Sequence, residues 1–149
     1  MLANLLPKLK LMVTVDWRMS ATGLYSDYIL PACGWYERTS NFLLGCTQSP
    51  FMQVVDKATE PLYESQSDWA IFVRLAKALA ARARARGFQG FKDKEGRERG
   101  LDRLEEQVTC GGMYTEDDEE GLARDSFLNS TNREEMSWEE FKNRGIAAY

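Results

Sequence analysis

The run LKLMVTV at residues 9–15 restricts the fold of this chain more than any other feature. Leu and Val dominate it with little polar alternation, the pattern of a strand buried on both faces in a parallel sheet. It stops at Asp16. In open α/β sheets ligands bind beyond the carboxyl ends of strands, so an acid here is placed to meet one; a helix cap or a loop ion pair is the ordinary alternative. Ser20-Ala21-Thr22-Gly23-Leu24-Tyr25 reads as a short capped helix ended by Ser26-Asp27. Tyr28-Ile29-Leu30 reads as a second strand, closed by Pro31, which cannot donate to a ladder. Strand, short helix, strand is the grammar of a parallel α/β layer.

From residue 33 to 63 the pattern changes to Trp35, Tyr36, Phe42 and Phe51 set among Ser, Asn, Gly and Pro, which predicts an irregular or hairpin-rich excursion. Ser67-Asp68 then caps a helix whose apolar positions Trp69, Phe72, Val73, Ala76, Leu79, Ala80 and Ala83 keep helical spacing. Acid at its start and Arg82, Arg84 and Arg86 at its end complement the helix dipole, and Gly87 stops it. Residues 88–100 show no periodicity and read as a connection, residues 101–108 as a short helix, and residues 116–120 as a solvated acidic run. Ser137-Trp138-Glu139-Glu140 has capping-box spacing and opens a last helix ending at Gly145, only about two turns long and therefore obliged to dock. No internal repeat or low-complexity tract is present.

A length of 149 residues allows one ordinary domain and excludes a large multidomain enzyme. With 44% hydrophobic and 28% charged residues, the chain carries enough apolar material for a core, against disorder. Histidine is absent, which removes His-based triads, imidazole zinc sites and histidine bases. The net charge of −4 argues against nucleic acid, although it is unevenly spread. Residues 74–103 hold ten Lys/Arg against four Asp/Glu, an excess of +6, and residues 104–140 hold two against twelve, −10. The basic stretch reads as a solvated face or an intra-protein partner. Cys33, Cys46 and Cys110 lack C-x-x-C spacing and read as small hydrophobes rather than as a zinc, cluster or disulfide set. The leading MLANLLPKLKLMV is broken by Pro7, Lys8 and Lys10, so neither direct membrane insertion nor a cleavable signal is expected.

Three blocks go beyond generic α/β grammar: Val13-Thr14-Val15-Asp16-Trp17-Arg18-Met19-Ser20-Ala21-Thr22, then Tyr25-Ser26-Asp27-Tyr28-Ile29-Leu30-Pro31-Ala32, then Trp35-Tyr36-Glu37. Val55-Asp56-Lys57-Ala58, Glu60-Pro61 and Ser67-Asp68-Trp69-Ala70-Ile71-Phe72 follow in the same order. Together they resemble the dimethyl sulfoxide reductase family of molybdopterin oxidoreductases over roughly residues 5–80. The D-W-R-M-S variant looks most like the branch of nitrate reductase catalytic subunits and the related selenate, chlorate, dimethyl sulfide and ethylbenzene enzymes. The insertion at residues 92–104, the Thr109-Cys110-Gly111-Gly112 run and the acidic run after it are more similar to the latter, periplasmic group.

The resemblance implies a fragment of a longer catalytic (alpha) subunit of the type II branch, crossing a domain junction. Residues 1–32 would belong to a dinucleotide-type cofactor-binding α/β domain and 33–66 to the excursion. Residues 67–149 would begin the next α/β domain, with a charged insertion at about 87–136. The implied cofactor is molybdenum held by bis-molybdopterin guanine dinucleotide, working in anaerobic respiration by two-electron oxygen-atom transfer or hydroxylation. A 4Fe-4S cluster is implied in the full-length subunit, with its ligands outside this chain. By analogy Asp16 and Ser20, with Arg18 and Thr22 as neighbours, would contact the guanosine end of one dinucleotide. No catalytic residue and no metal ligand is expected among these residues, and the chain alone is expected to be inactive. Asp27 is expected to tie the turn to the following strand, Glu37 to anchor the excursion through a buried ion pair, and Trp17 and Trp35 to pack in the core rather than to stack on the cofactor. The implied partners are the rest of the catalytic subunit, an iron–sulfur electron-transfer subunit and a haem b subunit. The implied location is the periplasm of a bacterium or archaeon, with the cytoplasmic face of the membrane as the alternative. The substrate and the direction of catalysis stay open. The competing reading is a stand-alone, non-catalytic α/β interaction module.

Overall fold

The computed structural model describes residues 5–43, 51–131 and 133–148, and Cys46 lies outside them. Strands β1 (Val13–Asp16) and β2 (Tyr28–Pro31) pair in parallel, Val13 opposite Tyr28 and Asp16 opposite Pro31, as the sequence grammar requires. A 3-10 turn at Gly23–Tyr25 replaces the expected short helix between them. The Asp27 carboxylate accepts the Met12 N–H at 2.8 Å, and the Met12 carbonyl accepts the Asp27 N–H at 2.9 Å. Asp27 therefore fastens the loop back to the start of β1, not forward to the next strand as expected. Gln66 adds a parallel bridge beside Ala32, its carbonyl accepting the Cys33 N–H at 2.8 Å.

The first strand is shorter and more open than its composition implied. Pairing begins at Val13 rather than Leu9, and Val13 is 46% exposed. Burial on both faces needs a layer across each face. Among the described residues no strand other than β2 pairs with β1, so Val13 stays exposed and Val15 is only half-buried.

The buried core lies elsewhere. Strands β3 (Ser40–Leu43), β4 (Phe51–Val55) and β7 (Ile146–Ala148) form an antiparallel sheet with β4 in the middle. Burial alternates along β4, with Met52 and Val54 inside and Phe51 and Gln53 outside, as the two-residue period of a strand dictates. Helices α3 (Glu119–Leu128) and α4 (Trp138–Arg144) supply Ala123, Phe127, Trp138 and Phe141 to the same cluster, which Ala147 of β7 completes. Phe127 and Phe141 are closed to solvent and lie face to face, ring centroids 4.0 Å apart. The Ser137 hydroxyl accepts the Glu140 N–H at 3.2 Å and Glu140 accepts the Ser137 N–H at 2.8 Å, the reciprocal cap foreseen in the sequence. Gly145, at φ +80°, ends α4 and turns the chain directly into β7.

Helix α1 (Asp68–Ala85) starts where Ser67 accepts the Ala70 N–H at 3.1 Å. It buries Val73, Ala76, Ala80 and Ala83, whereas Phe72, Leu75 and Leu79, at i, i+3 and i+7 spacing, remain exposed. The expected connection at residues 88–100 is instead a hairpin of β5 (Gly90–Lys92) and β6 (Glu98–Gly100). Two local devices build it. The Asp93 carboxylate accepts the N–H groups of Glu95 and Arg97 and pairs with the guanidinium groups of Arg97 and Arg99. Gly90 lies so close to the partner strand that a Cβ would stand 2.2 Å from the Arg99 carbonyl oxygen. Helix α2 (Leu104–Val108) then packs against α1.

The acidic run at residues 116–120 is exposed at Asp117, Asp118 and Glu120, as expected, and half-buried at Glu116 and Glu119, and most of it is paired. Glu116 pairs with Lys77 and Asp117 with Arg74 of α1; Glu119 pairs with Arg38 at 2.8 Å and Glu120 with Lys142 at 2.9 Å. Asp118 accepts the Gly121 N–H at 3.1 Å and so caps α3. Acid at the start of a helix is favoured by its dipole, and basic residues from three surrounding segments meet the other four carboxylates of the run.

Phe141→Ala should lower stability by about 3–5 kcal/mol, the range for truncating a fully buried aromatic ring. Phe72→Ala, on the uncovered face of α1, should stay within about 0.5 kcal/mol in the isolated chain. Urea unfolding of both variants measures the contrast.

Candidate functional site

The four residues singled out in the sequence sit on one loop at the carboxyl end of the parallel pair. Asp16 closes β1, and its carbonyl accepts the Ala32 N–H at 3.1 Å, which holds the strand end against the residue after Pro31. Among the described residues its half-buried carboxylate takes one bond, a long 3.4 Å contact from the Arg18 N–H, which leaves most of its acceptor capacity unused there. The chain then passes the Ser20 hydroxyl, which accepts the Gly23 N–H at 3.1 Å, and Thr22, whose carbonyl accepts the Ser26 hydroxyl at 3.2 Å. Gly23 is buried beneath this turn, where a Cβ would press on Met19 Sδ at 3.3 Å and Ser20 Oγ at 3.4 Å. Ser20 therefore spends one lone pair on the turn and keeps its proton to donate. The side chains of Arg18 and Thr22 are exposed, the Arg18 guanidinium 5.9 Å from the centroid of the Trp17 ring. The residues so assembled offer a carboxylate acceptor, hydroxyl donors and one cation.

Beside this loop opens a cleft of about 1370 Å³ that sequence reasoning did not find. Trp17, Trp35, Tyr36, Leu62 and Tyr63 line it, with Val54 of β4 as part of the wall. Trp17 and Trp35 were expected in the core; they are 65% and 54% exposed. Their large apolar planes stay in water because among the described residues nothing packs over the cleft. Glu37 shapes one side, and among the described residues it makes no ion pair of the kind expected: its Oε1 accepts the Leu62 N–H at 3.1 Å and its Oε2 accepts the Gly34 N–H. The signal for the cleft was present in the sequence as aromatic residues beside turn formers, but only the fold brings residues 17, 35, 36 and 63 together.

An ionic clasp holds the β4 side of the cleft. Lys142 of α4 sits between Asp56, at 3.2 Å, and Glu120, at 2.9 Å, and the Thr39 hydroxyl donates to Asp56 at 3.0 Å. Burial pushes the Asp56 carboxyl up, but hydrogen bonds from Thr39, Lys142 and the Lys57 N–H outweigh it and leave it below its usual value. The hydrogen bond from Lys142 likewise lowers Glu120, and Glu120 in turn raises Lys142. Nearby, burial raises the Cys33 thiol, partly offset by Arg38. Cys110 is exposed, at φ +54°, and is not the packed hydrophobe expected of it.

The sequence pattern of the molybdopterin oxidoreductase family matches residues 2–78, and the chain belongs to that family. It is 39% identical over 118 residues to the perchlorate reductase subunit alpha of Dechloromonas aromatica (strain RCB), an alignment covering 78% of this chain and 12% of that protein. It is 42% identical over 73 residues, 49% of this chain, to the respiratory nitrate reductase 2 alpha chain of Escherichia coli (strain K12) and to the nitrate reductase alpha chain of Bacillus subtilis (strain 168). Those alignments cover 6% of each relative. The β1–β2 unit, the cleft and most of α1 lie within the family match. No helix among the described residues is long and apolar enough to cross a membrane.

The clasp has a defined pH window. Lowered carboxyls contribute stability that is complete above their unfolded values near ~4 and is lost as pH falls through their folded values; the raised Lys142 contributes below ~10.4 and loses its share as pH rises through its folded value. Lys142→Met should therefore lower the Tm at pH 7, and the gap from wild type should close as the pH drops below about 4. Melting curves from pH 7 to pH 2 measure it; a constant gap would show that the clasp does not act through charge.

Proposed function

We propose that this chain is part of the catalytic (alpha) subunit of a molybdenum-dependent oxidoreductase of the nitrate and perchlorate reductase branch. Its loop at residues 16–22 holds the guanosine end of one molybdopterin guanine dinucleotide. The observation that carries the reading is the Asp16 carboxylate at the carboxyl end of a parallel strand, with acceptor capacity to spare and the Ser20 hydroxyl in the turn that follows. Ligands of α/β sheets bind at that end of the strands. A carboxylate there can accept two bonds from a guanine edge or from ribose hydroxyls, and a small hydroxyl permits close approach. The residue types present fit such a group. When bound, the molybdenum cofactor supplies two-electron oxygen-atom transfer or hydroxylation; this loop supplies position.

Within that role Asp16 fixes the nucleoside, Ser20 holds the turn and donates a proton at its Oγ, and Arg18 brings a positive charge toward the phosphates. Thr22 borders the loop. The full subunit also carries a 4Fe-4S cluster outside these residues, exchanges electrons with an iron–sulfur subunit and a haem b subunit, and lies in the periplasm. Uncovered apolar surface supports a place inside a longer chain over a stand-alone module. Both strands of the β1–β2 pair and the stripe Phe72, Leu75, Leu79 are exposed, a load that soluble monomers rarely leave bare.

Asp16→Asn in the full-length subunit tests the assignment. Acid hydrolysis of the purified protein releases GMP from the dinucleotide, so GMP per subunit reports how well it is held. Losing charge-assisted bonds should weaken that hold by roughly tenfold or more. GMP content equal to the wild type, under conditions that strip part of the cofactor, would remove Asp16 from the site.

A further inference from the structure

We propose that the aromatic cleft is a docking groove for another segment of the same subunit, one that sets a Lys or Arg side chain among the rings and against Glu64. The inference rests on the reading of this chain as part of a longer catalytic subunit, and its first ground is the chemistry of the lining. Trp17, Trp35, Tyr36 and Tyr63 are each more than half exposed there. Among the described residues no Lys or Arg lines the cleft, whereas Glu37, Asp56 and Glu64 do. Aromatic faces beside carboxylates attract an ammonium or a guanidinium and repel an anion. Two guanidinium groups from outside the lining already stand over rings of this set: Arg38 lies 5.9 Å from the Trp35 centroid and Arg18 lies 5.9 Å from that of Trp17.

The second ground is which acceptor is open. Glu37 is committed to the N–H groups of Gly34 and Leu62, and Asp56 to Lys142 and Thr39. Glu64 is exposed and has no hydrogen-bond or ion-pair partner among the described residues. It follows Tyr63, whose ring stands wholly in solvent on a turn closed by the Ser65 N–H donating to the Leu62 carbonyl at 3.0 Å. Tyr63 takes φ +55° in that turn, a conformation uncommon for any residue but glycine, and the Glu37 bond to Leu62 holds the turn in place. An open carboxylate next to an upright ring is a receiver for one cation.

The third ground is room and source. The cleft, about 1370 Å³, exceeds the roughly 300–1,000 Å³ of ordinary small-molecule pockets and accommodates a stretch of polypeptide. Exposed rings in such number call for a permanent cover rather than a passing ligand. The chain spans 12% of the perchlorate reductase relative, so the ready source of cover is the remainder of the same polypeptide, tethered at high effective concentration.

The experiment uses the full-length, cofactor-loaded subunit, purified without partner subunits, with Tyr63 replaced by photoreactive benzoylphenylalanine. Irradiation, digestion and mass spectrometry should find residue 63 joined, in a product of monomer mass, to a segment outside residues 1–149 with a Lys or Arg a few positions from the attachment. In the subunit with Tyr63 intact, radical oxidation of Trp17 and Trp35 reports how well the groove is covered, and melting temperature monitors the fold. Glu64→Lys, which sets like charges together, should raise oxidation of the two indoles about threefold or more; Glu64→Asp, which keeps the charge, should stay within about twofold of the wild type. No cross-link beyond residues 1–149, or one that forms only when a partner subunit or a second copy is present, overturns the proposal. A captured segment without Lys or Arg, or unchanged oxidation in Glu64→Lys, overturns the cationic contact. GMP released by acid from the same preparation reports the nucleotide loop separately: GMP without the cross-link fails the docking alone, and the cross-link without GMP fails only the nucleotide loop.

Discussion

Phe127 of α3 lies flat on Phe141 of α4, both rings sealed from water, and the buried core is built around that contact. Trp138 leans on both rings, and Met52 and Val54 of β4 close the cluster from the sheet side. Strand β4 is thereby pinned as the centre of a sheet whose third strand comes from the far end of the chain. Because β4 also forms one wall of the cleft, the aromatic pair positions a site to which it contributes no atom. The Lys142 clasp and the ion pairs of residues 116–120 add direction to this hydrophobic contact, fixing which helix faces which strand. Exposed pairs of this kind add little individually, and their value lies in the network.

The parallel pair obeys the opposite logic. An antiparallel sheet can leave one face wet, but parallel strands are built to be covered on both. β1 and β2 keep their pairing, their turn and the Asp27 tether while Val13, Tyr28 and Ile29 stand exposed and Val15 and Leu30 are only half-buried. That division of labour suits a segment whose local geometry is self-contained and whose cover comes from more chain. The loop that carries Asp16 is the part held locally, by the Ser20 and Thr22 bonds and the buried Gly23.

Features that depend on near neighbours were legible in the sequence. The parallel strands, the Ser67 cap, the glycine stop after α1 and the reciprocal Ser137–Glu140 cap all follow from patterns a few residues long, and Asp16 follows from its place at a strand end, whereas Arg18, Ser20 and Thr22 entered only through the family resemblance. Features set by distant partners were not. The β5–β6 hairpin hangs on one carboxylate gathering Arg97 and Arg99, β7 is three unremarkable residues that count only because β4 lies open beside them, and α3 hides in an acidic run whose partners lie on other elements. Trp17 and Trp35 were misplaced because hydrophobicity alone says that a ring seeks cover, not that the cover lies within the same stretch of chain.

The central claim is that the loop after β1 holds the nucleotide end of a molybdopterin cofactor. The most direct measurement is an experimental structure of the full-length subunit with its cofactor bound. Guanosine density is expected within hydrogen-bond distance, about 3 Å, of the Asp16 carboxylate. Density for both nucleotide ends elsewhere, with residues 16–22 packed only against polypeptide, would contradict it.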